Sequence, residues 1–465
     1  MAVETQHTPV QSGPPSADDG LGARRTPIVT TRADQRSRLL AAVVEVVADS
    51  GYPEAKVADL VRCAGVSRAT FYLLFENKES CLRSAQTELG ERFGLEVQEA
   101  VGRGVPERAA QSAITALVEL AQREPAVFGF LLHATMLAGP AAQASRDLLV
   151  DRFVQAIEEA WERAAPGAPL LDISARVLIE ATIRMLMLRR CRGGLAPGLL
   201  LPDLLAWVDC YMVSDGPPRW RTLTPEPVLL DKHAEHLGPM SLHPALPKGR
   251  HRLQSEVAKS VQRERITYAT AEAIHAKGYA ELTVADIVAT AGISRDAFYA
   301  QFHDKDEAFD GTAQLVFERL LARMAGAFFG DAGTWADQLW EAGWAFEYFL
   351  ESEPSLAHFL FIATYAPPPR IGRVLDFVLA FTLFVEEGNR ARPAGSPVPA
   401  AVTEAIVCTV LEAVNFHIRH DRVTELRGLV PAIIYTVFAP FMGTEEARAF
   451  IEGKVNAERA GAGLS

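Results

Sequence analysis

The chain has 465 residues, of which 49% are hydrophobic and 22% are charged, so it can build buried cores in about two to four compact units. Its formal net charge of −12 argues against a nucleic-acid coat protein and a polybasic membrane binder, although a local basic patch can still bind phosphate. No apolar run reaches the roughly 18 residues of a membrane span, and the N-terminus lacks the basic and then apolar pattern of a secretory leader. The five cysteines form no CxxC pair, which indicates reduced thiols in a cytoplasmic protein.

The N-terminal residues 1–31 are rich in proline, glycine, serine and threonine, and we predict that they form a disordered arm. Positive charge collects around the end of this arm, with Arg32 and Arg36 among the basic residues. Apolar residues then recur at helical spacing, which predicts a helix that begins near Asp34. Gly51 is expected to end this helix in the left-handed conformation.

A helix-turn-helix is predicted directly after this first helix. Its first short helix runs from about Val57 to Cys63. Gly65 supplies the positive φ that a tight turn requires, and Ser67 can cap the next helix with its hydroxyl. This second helix of the motif is the third helix of the chain. It ends near Glu76, and a fourth helix follows it.

From about residue 104 to residue 214 the apolar pattern is helical throughout, and prolines fall at the predicted breaks. The segment 215–258 is rich in proline and is predicted to be an extended linker that ends in a basic arm. Lys248, Arg250 and Arg252 belong to this basic arm. The second half of the chain therefore begins, like the first, with positive charge.

Residues 278–305 repeat residues 51–78 at an offset of 227 residues without a gap. About half of the positions are identical, and a period this long indicates the duplication of a whole domain. Thr283 is a better cap for the second helix of its motif than its counterpart Lys56.

The second helix of a helix-turn-helix can lie in the major groove of DNA, with its N-terminal residues at the base edges. An arginine there can donate two hydrogen bonds to guanine, which contributes about 1–3 kcal/mol of base discrimination. The N-terminus of the helix also attracts phosphate. The residues at these positions in the two motifs are Ser67, Arg68, Ala69 and Thr70, and Ser294, Arg295, Asp296 and Ala297.

The sequences GVSRATFYLLFENKES and GISRDAFYAQFHDKDE resemble the DNA-binding domain of the TetR family of bacterial repressors. The resemblance covers roughly 45 to 60 residues in each half and includes both helix faces and the turn. The remainder of each half is similar to the family only in being helical and of about the right length.

The resemblance implies contacts with DNA for several exposed side chains. Tyr72 and Tyr299 would reach phosphate, and so would Lys78 and Lys305 at the start of the following helix. Thr283 would cap its helix and could meet a phosphate. The residues of the two basic arms that would follow the DNA backbone are Arg32, Arg36, Lys248, Arg250 and Arg252.

Asp296 departs from the family pattern, which often has glycine or another small residue at this position. A carboxylate there repels phosphate, although it can accept a hydrogen bond from cytosine N4. The second motif is therefore expected to be either more selective or weaker than the first.

In the proteins that the chain resembles, the helices after the motif enclose a ligand pocket, and the last two helices pair across a dimer interface. The corresponding predicted pairs are about 171–192 with 199–213, and 399–419 with 423–441. They can pair within one chain, which we favour, or between two chains that together present four motifs. The second half is also rich in aromatic residues, which form either a pocket for a hydrophobic effector or a packed core. The candidate pocket residues are Trp340, Trp344, Tyr348, Phe359 and Tyr365.

The prediction is an all-α fold of two tandem units, each with an N-terminal helix-turn-helix domain and a helical ligand-binding and dimerisation domain. The predicted segments are a disordered arm (1–31), helix-turn-helix domain 1 (32–92), regulatory domain 1 (93–214), a linker and basic arm (215–258), helix-turn-helix domain 2 (259–319), regulatory domain 2 (320–452) and a frayed tail (453–465).

These features predict a cytoplasmic, sequence-specific transcriptional regulator, a ligand-responsive repressor with two non-identical recognition helices in one chain. Its partners would be a duplex DNA operator and a hydrophobic small molecule, with no membrane. The alternative is a helical module that binds a ligand or a protein and no longer reads DNA. No GxSxG, P-loop, HExxH or GxGxxG motif stands out, so the sequence predicts no enzyme, cofactor or metal site.

Overall fold

A computed structural model describes the chain outside residues 1–30, 53, 133–139, 168–172, 192–195, 213–254, 280, 331–332, 364–370, 392–396 and 462–465. The described residues form helices and turns and no β-strand, which confirms the predicted all-α class. The helices of the first half are α1 (Arg32–Ser50), α2 (Val57–Ala64), α3 (Arg68–Leu74), α4 (Lys78–Arg103), α5 (Ala109–Arg123), α6 (Pro125–Leu132), α7 (Pro140–Ala164), α8 (Ala175–Cys191) and α9 (Leu201–Asp209). Those of the second half are α10 (Ser255–Lys277), α11 (Val284–Ala291), α12 (Arg295–Tyr299), α13 (Lys305–Phe328), α14 (Trp335–Ser352), α15 (Pro354–Phe361), α16 (Ile371–Glu386), α17 (Gly388–Ala391), α18 (Ala400–Arg419), α19 (Leu426–Met442) and α20 (Thr444–Gly461).

Helix α1 begins two residues before the predicted start, because Thr31 forms a reciprocal capping box with Asp34. Its buried face, which includes Leu39 and Val43, packs on α2 and α4. Gly51 ends the helix with φ 78° and ψ 157°. The expected left-handed conformation at Gly51 is therefore wrong: φ is positive, but ψ is extended, a combination that is open essentially to glycine alone.

The helices that follow the helix-turn-helix of each half pack into a larger part, here termed the regulatory part after its predicted role. In the first half α4 packs along α7 and α5, and α8 closes the layer against α5 and α7. In the second half α13 packs on α14, α14 on α19, and α16 on α18. The large aromatic side chains of α14 fill this second core, with Trp340 and Trp344 almost completely buried.

Helix α20 occupies much of the segment for which a frayed tail was predicted. It runs to Gly461 and packs on α19, because Ile451 and Val455 are buried one turn apart on its inner face. Two polar contacts tie it to α14. Trp340 donates its indole N–H to Glu458 at 2.9 Å, and Lys454 lies 2.8 Å from Asp337.

The two halves meet through their regulatory parts, where α8 and α9 of the first half pack against α18 of the second. Arg184 on α8 forms a buried ion pair with Glu412, and Arg189 lies 2.7 Å from Glu404. As residue numbers rise on α8, their partners' numbers fall on α18, so the two helices run antiparallel. Tyr211 follows α9, and its hydroxyl donates a hydrogen bond to the carbonyl of Thr436 on α19 at 2.7 Å.

Two stretches at this junction, Ala400–Arg419 and Val423–Met442, have the length and hydropathy of a membrane span. Their most apolar windows are 72% and 61% buried inside the protein. The core helices of a soluble protein have the same properties, so these stretches do not indicate a membrane protein.

Candidate nucleic-acid interface

The first helix-turn-helix is formed by α2, a tight turn and α3. Gly65 lies in the left-handed region with φ 61° and ψ 40°, and its N–H donates to the carbonyls of Val61 and Arg62. Ser67 caps α3, because its hydroxyl accepts a hydrogen bond from the Thr70 N–H at 3.0 Å. The predicted turn and cap are both confirmed here.

The second helix-turn-helix repeats this geometry with different lengths and caps. Gly292 has φ 62° and ψ 39°, and Ser294 accepts a hydrogen bond from the Ala297 N–H at 3.1 Å. Recognition helix α12 has 5 residues, whereas α3 has 7. Thr283 caps α11 in a reciprocal box with Asp286, while Lys56 gives α2 no side-chain cap. The prediction that Thr283 is the better cap is confirmed.

The hydroxyl of Thr283 donates to Asp286 at 2.6 Å, and Lys277 forms an ion pair with the same carboxylate. These hydrogen bonds, first that from Lys277 and then those from Thr283, lower the pKa of Asp286 to about 2. A negative charge is therefore fixed at the N-terminus of α11, where a phosphate would otherwise dock.

The two recognition helices bury one face and expose the other. Phe71, Phe75, Phe298 and Phe302 are buried, which confirms their predicted core positions. The exposed face carries Tyr72 and Tyr299, each 54% exposed, together with Arg68, Ala69, Arg295 and Asp296. Within the described part of the chain neither Arg68 nor Arg295 forms an ion pair, so both guanidinium groups are available to a ligand.

Lys78 and Lys305 make equivalent contacts with a backbone carbonyl and a tyrosine ring. These contacts were not predicted from the sequence. The Lys78 ammonium donates to the Tyr52 carbonyl at 2.9 Å and lies 4.2 Å from the centre of the Tyr52 ring. Lys305 donates to the Leu282 carbonyl at 3.0 Å and lies over Tyr279. Both lysines thus tie the fourth helix of their motif to the segment before the second helix. Burial lowers the pKa of Lys78.

The predicted arm residues Arg32 and Arg36 belong to α1 itself. Arg32 donates to the Leu73 carbonyl near the end of α3 at 2.9 Å, and Arg36 forms an ion pair with Glu88. Arg32 thus connects α1 to the recognition helix, whereas Arg36 connects α1 to α4. Contact of either residue with DNA remains a prediction. Lys248, Arg250 and Arg252 lie outside the described residues.

The two motifs differ clearly in charge. Residues 57–80 contain three acidic and three basic side chains, whereas the equivalent residues 284–307 contain five acidic and two basic ones. The caps differ in the same direction: neutral Asn77 caps α4, and Asp304 caps α13. The first motif therefore offers phosphate a more favourable surface than the second.

The predicted pocket residues do not line either of the two cavities described below. Trp340, Trp344 and Phe359 are fully buried in the packed core. Tyr348 is half-buried under Arg323, whose guanidinium lies 4.9 Å from its ring centre, and Tyr365 lies outside the described residues. One cavity of about 70 Å³ lies among apolar side chains of α14, α16, α18 and α19. A larger cavity of about 440 Å³ opens between the two halves.

Glu353 lies between α14 and α15, where the second helix-turn-helix domain meets the rest of its half. Burial raises the pKa of Glu353 to about 7, against the attraction of Arg323 and Arg319 and with a smaller contribution from Glu272. At pH values between the ordinary pKa of a glutamate and about 7, the folded protein binds more protons at Glu353 than the unfolded chain does. The contribution of Glu353 to stability therefore falls as the pH rises through this range. Glu353→Gln is therefore expected to increase the melting temperature at about pH 8 more than at about pH 5.

The matched control is Glu124→Gln at the equivalent position of the first half, where Glu124 pairs with Arg92 at 2.5 Å. This variant should show no gain in melting temperature at high pH. His358, whose pKa burial lowers to about 4, is unchanged in both variants and drops out of the comparison. An equal effect of Glu353→Gln at both pH values would contradict the proposed burial of its charge.

Comparison with known proteins identifies the two motifs. The sequence model of the bacterial regulatory proteins of the TetR family matches residues 39–85 and again residues 266–311. A search of curated proteins gave no match.

Three solved structures illustrate the structural similarity. The fatty acid degradation regulator FadR from Bacillus halodurans is 15% identical, with 37% of this chain and 94% of that chain covered and a TM-score of 0.34. FadR from Bacillus subtilis, solved in complex with stearoyl-CoA, is 15% identical, with 37% and 96% covered and a TM-score of 0.33. A TetR family regulator from Marinobacter aquaeolei VT8 is 19% identical, with 37% and 94% covered and a TM-score of 0.31. On the two sequence matches, each at a helix-turn-helix with the geometry described above, the chain belongs to the TetR family of DNA-binding bacterial regulators and carries two tandem TetR units.

Proposed function

We propose that this protein is a ligand-responsive repressor in which the two halves of one chain take the place of two subunits. The observation that carries the proposal is the packing of α8 from the first half against α18 from the second. The ion pair between Arg184 and Glu412 is almost inaccessible to solvent, with side-chain exposures of 5% and 8%. Separation of the halves would leave each of these buried charges without its partner, and the loss of one partner of such a pair costs about 3–5 kcal/mol.

The direction of the helices supports the same arrangement. In a two-fold symmetric dimer each residue pair recurs with its members exchanged, and helices that cross on the axis run antiparallel. The antiparallel pairing of α8 with α18 fits such a pseudo-two-fold relation between the halves. One chain would then hold two helix-turn-helix units in the roles that two subunits play in a symmetric regulator.

The operator that fits such a protein is asymmetric, because operator symmetry mirrors the symmetry of the protein. The two recognition helices share the serine cap and the arginine, which suits a common mode of docking. They differ where bases would be read, with Ala69 and Thr70 in the first and Asp296 and Ala297 in the second. Each half-site would therefore have its own sequence.

The first unit is proposed to provide most of the affinity. The N-terminus of α2 has no side-chain cap and directly follows Lys56, and the carboxylate in its first turn, Asp59, is paired with Arg62, so its first N–H groups can bind a phosphate. At the N-terminus of α11 the Thr283 hydroxyl accepts from the Asp286 N–H, and the Asp286 carboxylate accepts from the Thr283 N–H, so the capping box already binds these groups. The second unit would add selectivity at a lower affinity.

The acidic character of the second motif also favours a second candidate function. If Asp296 and the acidic caps prevent docking, the chain would act as a helical module that binds a ligand or a protein. The repressor requires a specific DNA sequence, whereas the binding module does not.

Selection of bound sequences from random duplex DNA by the full chain, at low salt, separates these possibilities. We expect an asymmetric site, and we expect light scattering to show one chain of 50.6 kDa per DNA duplex. Binding should weaken steeply with salt, because phosphate contacts release counterions.

A palindromic site bound by two chains would instead indicate that the regulatory helices pair between chains. A lack of enriched sequences, with folded protein, would overturn the regulatory function and leave the binding module. A control selection with Arg68→Ala and Arg295→Ala combined should lose enrichment in either DNA-binding arrangement.

A further inference from the structure

The cavity between the two halves, termed the inter-half cavity here, has walls from both. Its first wall is formed by the start of α8 and the residues before it, including Ser174, Arg176 and Glu180. Its other walls are formed by α18 and α19. A volume of about 440 Å³ lies in the range of pockets that hold drug-sized ligands.

Most of the lining of the inter-half cavity is apolar. Val177 contributes from α8, Phe416 from α18, and Leu429 and Ile433 from α19. Gly428 also lines the cavity, and a Cβ atom added there would have nothing within 4 Å. The cavity is therefore open beside Gly428, which is itself exposed, and a ligand with an apolar body can enter there without displacing packed side chains.

Two buried carboxylates, Glu180 and Glu412, add charge to this lining, with 3% and 7% of their surfaces exposed. Arg146 binds both oxygens of Glu180, with 2.6 Å between Nη1 and Oε1. Arg184 binds Oε1 of Glu412, and among the described residues Oε2 is left to accept from a ligand. Burial raises the pKa of Glu412 despite the attraction of Arg184, and the charge of Glu180 adds to the rise.

Among the described lining residues Arg176 is the arginine, beside His417, and the charge of Arg176 is already compensated. It forms ion pairs with Asp151 and Glu180, and its guanidinium lies 5.2 Å from the centre of the Phe416 ring. An anionic ligand would therefore gain little from Arg176 and would lie close to two carboxylates. A cationic donor directed at Glu412 would stabilise the charged form of that side chain.

We propose that the inter-half cavity is the effector site and that its ligand is an apolar molecule carrying a protonated amine that binds Glu412. The link to DNA rests on the proposed regulatory function, whereas the binding of the ligand does not. A ligand in this position contacts α8 of one half and α18 and α19 of the other. Binding of the ligand therefore changes how the two halves are positioned relative to each other. The spacing of the recognition helices depends on this relative position.

The test uses pyrenylmethylamine as the probe and pyrenecarboxylic acid as its anionic counterpart, with binding followed by pyrene fluorescence. The full chain should bind the amine at least about tenfold more tightly than the acid, because the acid brings a like charge towards buried carboxylates. Gly428→Phe fills the cavity and should weaken binding of the amine by at least about tenfold. Gly453→Phe is the matched control, because Gly453 is an equally open helical glycine on α20 and does not line the cavity. It should bind the amine like the unchanged protein.

The proposal is overturned if Gly428→Phe and Gly453→Phe bind the amine equally well, or if the acid binds as tightly as the amine. A separate measurement adds the amine to the complex with selected DNA. Affinity for DNA should change in the unchanged chain and in Gly453→Phe but stay constant in Gly428→Phe, and DNA should change amine affinity by the same factor. Failure to bind any DNA would count against the regulatory function alone, whereas cavity-dependent amine binding would still support the site.

Discussion

Arg184→Ala is expected to destabilise the protein by about 3–5 kcal/mol, because it leaves the carboxylate of Glu412 buried without its partner. The ion pair joins α8 to α18, so its loss affects the contact between the halves directly. Glu180 lies near Glu412 and opposes its ionisation, which increases the cost of an unpaired charge. The free energy of unfolding from urea denaturation measures the effect.

Two further variants give this prediction its controls. Arg390→Ala removes an exposed ion pair with Glu387 on the surface, where the arginine side chain is 81% exposed, and should cost at most about 1 kcal/mol. The double variant Arg184→Met with Glu412→Leu should recover most of the lost stability, because an apolar pair of similar volume replaces a buried ion pair at little cost. If Arg184→Ala costs no more than Arg390→Ala, the halves are not joined through this pair in solution.

The helix-turn-helix units could be predicted from sequence because their determinants are local. A glycine at the turn and a serine three residues before the hydrogen-bond donor that it caps act within a few positions of one another. The same pattern occurs in both halves of the chain at a fixed offset, and this second occurrence supports the prediction. The buried phenylalanines of the recognition helices followed from the same helical spacing.

A second repeat, in the regulatory part, escaped the sequence analysis because its offset differs. Residues 124–135 (EPAVFGFLLHAT) align with residues 353–364 (EPSLAHFLFIAT) at an offset of 229. Glu124 and Pro125, and Glu353 and Pro354, start two helices of 8 residues each, α6 and α15. The duplication therefore extends beyond the DNA-binding domains, with two additional residues in the second half between the two repeated segments.

The contact between the halves could not be derived from local patterns. Arg184 and Glu412 are 228 residues apart, and each is a charged residue in a helix whose pattern gives no sign of a partner. Apolar helices such as α18 indicate burial but do not say which surface covers them. The two arrangements, pairing within one chain or between two, therefore remained open at that level.

The location of a cavity also cannot be predicted from the amino-acid composition. Aromatic content indicated where core volume would be large, and the tryptophans of α14 are indeed buried in packed core. A cavity is instead a place where small side chains leave space, and the inter-half cavity is bordered by Gly428, Ala413 and Ala432. Their effect depends on which helices face each other, which is a property of the tertiary structure.

Substitution of the two recognition arginines should reveal that one chain reads two different half-sites. Arg68→Ala is expected to weaken binding to the selected operator by about 1–3 kcal/mol, which is roughly 5-fold to 150-fold. Arg295→Ala should have a smaller effect, because the acidic second motif holds its phosphates less strongly. Asp296→Asn should increase affinity by removing a negative charge from the exposed face of α12.

The decisive readout is the position of the lost sequence preference rather than the size of the loss. In a symmetric dimer, one substitution changes both recognition helices, so preference relaxes at both half-sites together. In the chain described here, Arg68→Ala should relax preference at one half-site and Arg295→Ala at the other. Arg390→Ala, remote from both motifs, serves as the charge-matched control and should leave the selected sequence unchanged. Relaxation at both half-sites from either single substitution would contradict the intramolecular arrangement, because it requires two copies of the same recognition helix on the DNA.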